Sequence, residues 1–255
     1  MMSMKTRINR NFITQTDHDN ASLTSMTTVA HRFPEPGDYR GVVHFRGRPV
    51  RSFSIGVAKP ASIAGSEAAL TKIEIDLRSL HLSRGGGTGE SSYELETGGY
   101  AVFRVPAGTG GGYSVEIHGS TESVEDHKVF DSRELNVDDL LAVVMIRPGV
   151  YAVECTTEGT RKTKAELTVT YPDKALGPAD PIKLKCGKDG ISEEKLKVQP
   201  MQGLVFSFAS PTRIRVVLVA PDDRPRAPRP RPATRAAERK RSTRRLMMVP
   251  RRRAA

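Results

Sequence analysis

Two cysteines and six histidines are the side chains best suited to reactive or metal-binding chemistry: Cys155 and Cys186, with His18, His31, His44, His81, His118 and His127. A thiol becomes a nucleophile only beside a base, and neither cysteine sits in a Cys/His signature. His118, Asp126, His127 and Asp131 lie close enough together to suggest a divalent-metal loop. They lack the i, i+4 helical pair and the tight ligand-turn-ligand spacing that such a site needs, so they read as surface loop residues. The runs Gly85-Gly86-Gly87-Thr88-Gly89 and Gly108-Thr109-Gly110-Gly111-Gly112 resemble phosphate cradles only in composition. Neither ends in Gly-Lys-Ser/Thr nor opens a helix, so both read as hairpin connections. There is no Gly-x-Ser-x-Gly elbow, and Asp138-Asp139 and Glu193-Glu194 read as solvated turn charges. The sequence therefore assigns no catalytic, cofactor-binding or metal-binding residues; the expectation is a non-enzyme without a cofactor.

Charge is segregated. The chain carries a formal +11, but twelve Arg, one Lys and one Glu fall between Arg224 and Ala255, which leaves the body near neutrality. A basic face on a globular domain is not what this describes. Prolines 225, 228, 230 and 232 and like-charge repulsion predict an extended, disordered tail over 224–255. Within it Arg239, Lys240, Arg241, Arg244, Arg245, Arg251, Arg252 and Arg253 are the candidate polyanion contacts, acting by counterion release. The tail has no aromatic residue on which a base would stack. The alternative expectation to a protein-interaction role is therefore nucleic-acid binding, through the tail only.

The elements that would position any site are strands. With 22 Gly, 17 Pro and no Trp in 255 residues, the composition suits many short strands joined by turns. No apolar run is long enough to span a membrane. Residues 1–26 are polar, without an apolar stretch behind the basic residues, which argues against a secretory signal and gives a cytoplasmic expectation unless the true start lies elsewhere. Two cysteines allow one disulfide, but the simpler expectation is two separate buried thiols.

A stretch recurs without a gap 112 positions later: Pro36-Gly37-Asp38-Tyr39 followed by Gly47, Ile55 and Val57 returns as Pro148-Gly149-Val150-Tyr151 followed by Gly159, Leu167 and Val169. A looser repeat links Ile73–Leu77 to Ile182–Cys186 and Gly99–Val105 to Gly203–Phe208. The division that follows is a disordered lead-in (1–26), the closing half of a repeat (27–58), a complete unit (69–171), the opening half of a repeat (180–220) and the basic tail. The two halves either complete one another in permuted order or belong to a longer array. Within the central unit, residues 135–146 fit either a short capped helix or a turn followed by a strand.

The segment Pro148-Gly149-Val150-Tyr151-Ala152-Val153-Glu154-Cys155 resembles the Pro-Gly-x-Tyr-x-x-x-Cys approach to the copper loop of plastocyanin-like cupredoxins, and Gly99-Tyr100-Ala101-Val102-Phe103 is similar to the strand before that family's first His ligand. The resemblance implies a Greek-key β-sandwich with a Cys thiolate at copper. The ligand set departs from it: position 158 is Glu where the family has His, no His or Met lies between Cys155 and Met201, and Val43 stands in the first copy where Cys155 stands in the second. Type 1 copper needs two imidazoles with the thiolate. An immunoglobulin-like sandwich is the close alternative; its tyrosine corner places Tyr two residues before Cys, whereas Tyr151 precedes Cys155 by four. The expectation is an all-β, cupredoxin-like or immunoglobulin-like tandem repeat with disordered termini. Its expected role is a non-catalytic structural or protein-interaction module, presenting loops 83–91 and 106–112.

Overall fold

A computed structural model describes residues 15–59, 71–82, 91–106, 110–120, 127–159, 161–171 and 179–223. The described residues are all-β. The strands are β1 (Asp17–Asp19), β2 (Thr27–Arg32), β3 (Gly37–Phe45), β4 (Arg48–Ala58), β5 (Lys72–Asp76), β6 (Ser91–Glu96), β7 (Tyr100–Arg104), β8 (Tyr113–Ser120), β9 (His127–Asp131), β10 (Asp139–Val144), β11 (Gly149–Thr157), β12 (Arg161–Val169), β13 (Ile182–Gly187), β14 (Gly190–Ile191), β15 (Lys195–Val198), β16 (Gly203–Phe208) and β17 (Thr212–Pro221). One short helix, α1 (Leu77–Leu82), follows β5. A central sheet runs β14-β13-β16-β10-β2-β7-β5, and two five-stranded sheets run β6-β4-β3-β8-β9 and β1-β17-β11-β12-β15.

Side chains alternate between buried and part-exposed along β10, β11 and β16, the period-2 consequence of a pleat with one face in the core. The inward rings show which sheets face each other. Phe33 of β2's end meets Tyr39 of β3 with centroids 4.8 Å apart, and Phe103 of β7 meets Phe53 of β4 at 6.1 Å. The sheet containing β3 and β4 therefore covers the β2-β7-β5 end of the central sheet. At the other end, Gly190 of β14 lies against Thr163 of β12, where a Cβ would come within 3.0 Å of the side chain, so the sheet containing β11 and β12 covers the β14-β13-β16-β10 end. This is β-sandwich packing in which one face of the central sheet is covered by two five-stranded sheets, one at each end.

Pairing groups the segments differently from the sequence division. Strands of 27–58 pair with strands of 91–120: β3 with β8, β4 with β6, β2 with β7. Strands of 139–169 pair with those of 195–221: β11 with β17, β12 with β15, β10 with β16. The stretch 69–171 is thus shared between both sides of the central sheet, divided between β9 and β10. A contiguous repeat in sequence need not be a contiguous body, because strand partners are chosen by register and burial rather than by chain order.

Three local expectations also change. Residues 15–26, placed in the lead-in, are folded: β1 pairs with β17, and His18, Asn20 and Leu23 are buried. Residues 77–82 form a helix, begun by Asp76, whose Oδ1 accepts the N–H groups of Arg78 and Ser79. Residues 135–146 resolve as a turn and strand β10, the Asp139 carboxylate accepting the Asn136 N–H at 2.6 Å.

The two sides are paired alike. Tyr39 Oη donates to the Glu35 carbonyl at 2.9 Å and Tyr151 Oη to that of Arg147 at 2.8 Å, each hydroxyl pinning the turn four residues back. Hairpin residues Arg46-Gly47 and Glu158-Gly159 all have positive φ, between 51° and 75°, which matches the twist of the flanking strands. The Val115 N–H donates to Ser132 Oγ and the Ile214 N–H to Asn20 Oδ1. The first strands are exchanged: β1 completes the sheet containing β17, and β9 completes the sheet containing β8.

Candidate functional site

Between the two sides lies the antiparallel pair β2–β10. At one end of this seam His31 faces Asp139; at the other, Thr27 faces Val143. The His31 Nδ1–H donates to Asp139 Oδ1 at 2.7 Å, both side chains being less than a tenth exposed. The imidazole lies edge-on to Phe33 at 4.8 Å and tilted against Phe130 at 5.1 Å. Burial pushes the Asp139 carboxyl up, and the His31 bond partly offsets that. A pocket of about 220 Å³ adjoins the pair, lined by His31, Phe33, Pro34, Glu35, Tyr39, His127, Val129 and Asp138. A carboxylate orienting an imidazole is half of a nucleophilic triad. No Ser, Cys, Thr or Lys lines this pocket, and the Tyr39 hydroxyl is spent on Glu35. What the pair does in this geometry is hold β2 to β10.

The cysteines form the second cluster. Both are buried free thiols, as expected, and the Cys186 thiol is within hydrogen-bonding reach of Cys155. Cys155 Sγ also lies 3.6 Å from Thr157 Oγ1. The bond from Cys186 draws the Cys155 thiol down, while that same bond and burial push Cys186 up. Cys155 has no imidazole among these contacts, unlike the thiolate of a blue-copper site.

Two of the residues considered for a divalent-metal loop, His118 and Asp131, are engaged in other pairs. His118 Nε2 bonds Glu116 Oε1 at 3.0 Å, and Arg133 bridges Glu116 and Asp131 at 2.7 Å. Burial raises the Asp131 carboxyl, but hydrogen bonds and charge from Arg133 outweigh it and leave the group below its ordinary value. Asp126 lies outside the described residues, and His127 lines the pocket beside His31 instead. Among the described residues no three His, Cys, Asp or Glu are grouped to hold a metal ion. An open groove of about 670 Å³ over β4 and β6 is walled by Asp38, Glu94 and Glu96. Residues 83–90 and 107–109 of loops 83–91 and 106–112, and Arg239, Lys240, Arg241, Arg244, Arg245, Arg251, Arg252 and Arg253, lie outside the described residues. No helix among the described residues is long and apolar enough to cross a membrane.

Sequence reasoning missed the His31–Asp139 pair because its members are 108 positions apart. The alternation of Val29, His31 and Phe33 with Thr28, Ala30 and Arg32 does place His31 on the inward face. Set against family models, curated proteins and solved structures, the chain finds no match in any of the three comparisons.

Proposed function

We propose that the chain is a non-catalytic β-sandwich module, duplicated within one polypeptide, that works by association through the open face of its central sheet. The Pro-Gly-x-Tyr corners and the parallel registers on both sides support duplication, and the cupredoxin-like reading rests on the same corners without the copper ligands. One observation carries the association: a transverse row across six strands reads Lys185, Ser207, Leu140, Ala30, Val102, Glu74, joined pair by pair through the sheet register. All six are exposed or part-exposed, while their chain neighbours Cys186, Phe206, Leu141, Val29 and Phe103 turn inward. The row has a basic end, an apolar middle and an acidic end.

The occupant it fits is a second copy of this chain. A twofold axis parallel to the strands sets Lys185 of each copy against Glu74 of the other and stacks Leu140 on Ala30, the self-complementary geometry of an isologous contact. Glu74 already meets Lys72 and Arg104 at 2.8 and 3.4 Å, but these pairs are about half exposed and cheap to rearrange. Sedimentation equilibrium of the full chain is expected to show a dimer that Leu140→Lys converts to monomer without loss of fold. A monomeric wild-type protein would overturn the association, and an intense visible band on adding Cu(II) would overturn the metal-free reading.

A second reading is favoured by the charge segregation: the Arg-rich tail holds a polyanion, salt-sensitively and without sequence preference. Deleting residues 224–255 is expected to abolish retention on heparin; unchanged retention removes the idea.

A further inference from the structure

We propose that Cys155 and Cys186 form an inter-sheet disulfide that clamps one end of the molecule and has no counterpart at the other. Three observations bring the two sulfurs to one place. Cys155 stands opposite Thr163 in the β11–β12 register. Thr163 abuts Gly190, where a Cβ would come within 3.0 Å of its hydroxyl, so β14 is pressed onto β12. Gly190 pairs with Gly187, and Cys186 with Ile191, in the adjoining β13–β14 ladder. The side chains of Cys155 and Cys186 are 0% and 1% exposed and contact each other across the gap between the sheets. The equivalent positions on the other side are Val43 and Leu77, both fully buried hydrocarbon.

The oxidant is a low-molecular-weight disulfide such as oxidised glutathione. The Cys155 thiolate attacks one of its sulfurs and releases the first small thiol. The Cys186 thiolate then attacks the Cys155 sulfur of the mixed disulfide and releases the second. One S–S bond breaks and one forms; both cysteine sulfurs are oxidised, the small disulfide is reduced, and two protons pass to the released thiols. Because both sulfurs are buried, exchange proceeds as the chain folds or during local opening.

The test is to refold the full chain with reduced and oxidised glutathione and then count thiols after denaturation under acid quench. The expected count falls from two to zero. A proteolytic digest should yield the Cys155 and Cys186 peptides joined and lighter by two hydrogens than their sum. The oxidised protein should melt roughly 5–10 °C above the reduced one. The double variant Cys155→Val and Cys186→Leu, which installs the residues of the other side, should melt at one temperature with or without reductant. Two free thiols after equilibration with oxidised glutathione, or cross-links only between separate chains, would overturn the proposal. The peptide map decides the matter even if the variant does not fold.

Discussion

The side built on β3 and β4 and the side built on β11 and β12 share their registers over Tyr39–Val43 and Tyr151–Cys155 but fill them differently. Where Gly41 faces Phe53 on the first, Val153 faces Ala165 on the second. A Cβ placed on Gly41 would lie 2.0 Å from Phe53 Cζ, so the ring occupies the volume that Val153 and Ala165 share between them. On the edge strands, Phe130 of β9 stacks on Phe103 at 5.5 Å, while the matching place on β1 holds His18. At the seam, His31–Asp139 at one end is answered by Val143–Thr27 at the other. The difference teaches that this architecture constrains summed volume and satisfied polar groups, not residue identity.

The sharpest way to break the comparison is Gly41→Val. It should destabilise the protein by about 4 kcal/mol, the cost of expelling Phe53 from the core, in denaturant titration. Adding Phe53→Ala installs the pair of the other side and should recover most of that loss; no recovery would show that the two sides are not interchangeable. Next in size, His31→Val alone strands a buried Asp139 and should cost about 3 kcal/mol. His31→Val with Asp139→Thr copies the opposite end of the seam and should return to within about 1.5 kcal/mol of the wild type.

A third prediction separates the edge strands by pH. Burial holds His18 down to about 4, below its ordinary 6.5, with Asp17 acting weakly the other way. Between those values the unfolded chain binds a proton that the folded one refuses, so stability is full above about pH 6.5 and is lost as pH falls toward 4. The loss should reach up to about 3 kcal/mol, and His18→Phe, the residue type of β9, should remove this part of the pH dependence in thermal melts followed across that range. The smallest effects are Tyr39→Phe and Tyr151→Phe. Each should cost about 1 kcal/mol for one lost hydrogen bond to a turn carbonyl. Unequal costs would mean that the two corners differ in their surroundings.

Much of this was legible before any coordinates. Strand alternation in Ile73–Asp76 and Tyr113–Ile117 and the Pro-Gly-x-Tyr turns marked strands, because periodicity and turn chemistry are local. The grouping of strands was not legible: joining β3 to β8 rather than β11 to β8 depends on long-range register, and both candidate partners open on the same Gly-x-Tyr and alternate alike. β1 escaped notice because three polar residues in and beside it, Asp17, Asp19 and Asn20, are stabilised from elsewhere. Arg215 and Arg213 reach Asp17 and Asp19 at 2.5 and 2.6 Å, and Asn20 bonds Ser132 and Ile214. Helix α1 carried a readable signal in Asp76, overridden by the alternation that precedes it. Contact between the cysteines needed two sheets to face each other, which spacing along the chain cannot express.

The exchange of β1 into the sheet of β17 has a consequence for how this body is strung on its chain. Thr16 accepts a hydrogen bond from the Leu218 N–H at 2.8 Å, and Asp17 lies opposite Val217, so the first and last described strands lie side by side. Such a body can be grafted into a surface loop of another protein, or its ends ligated into a ring, with only a short splice and little distortion.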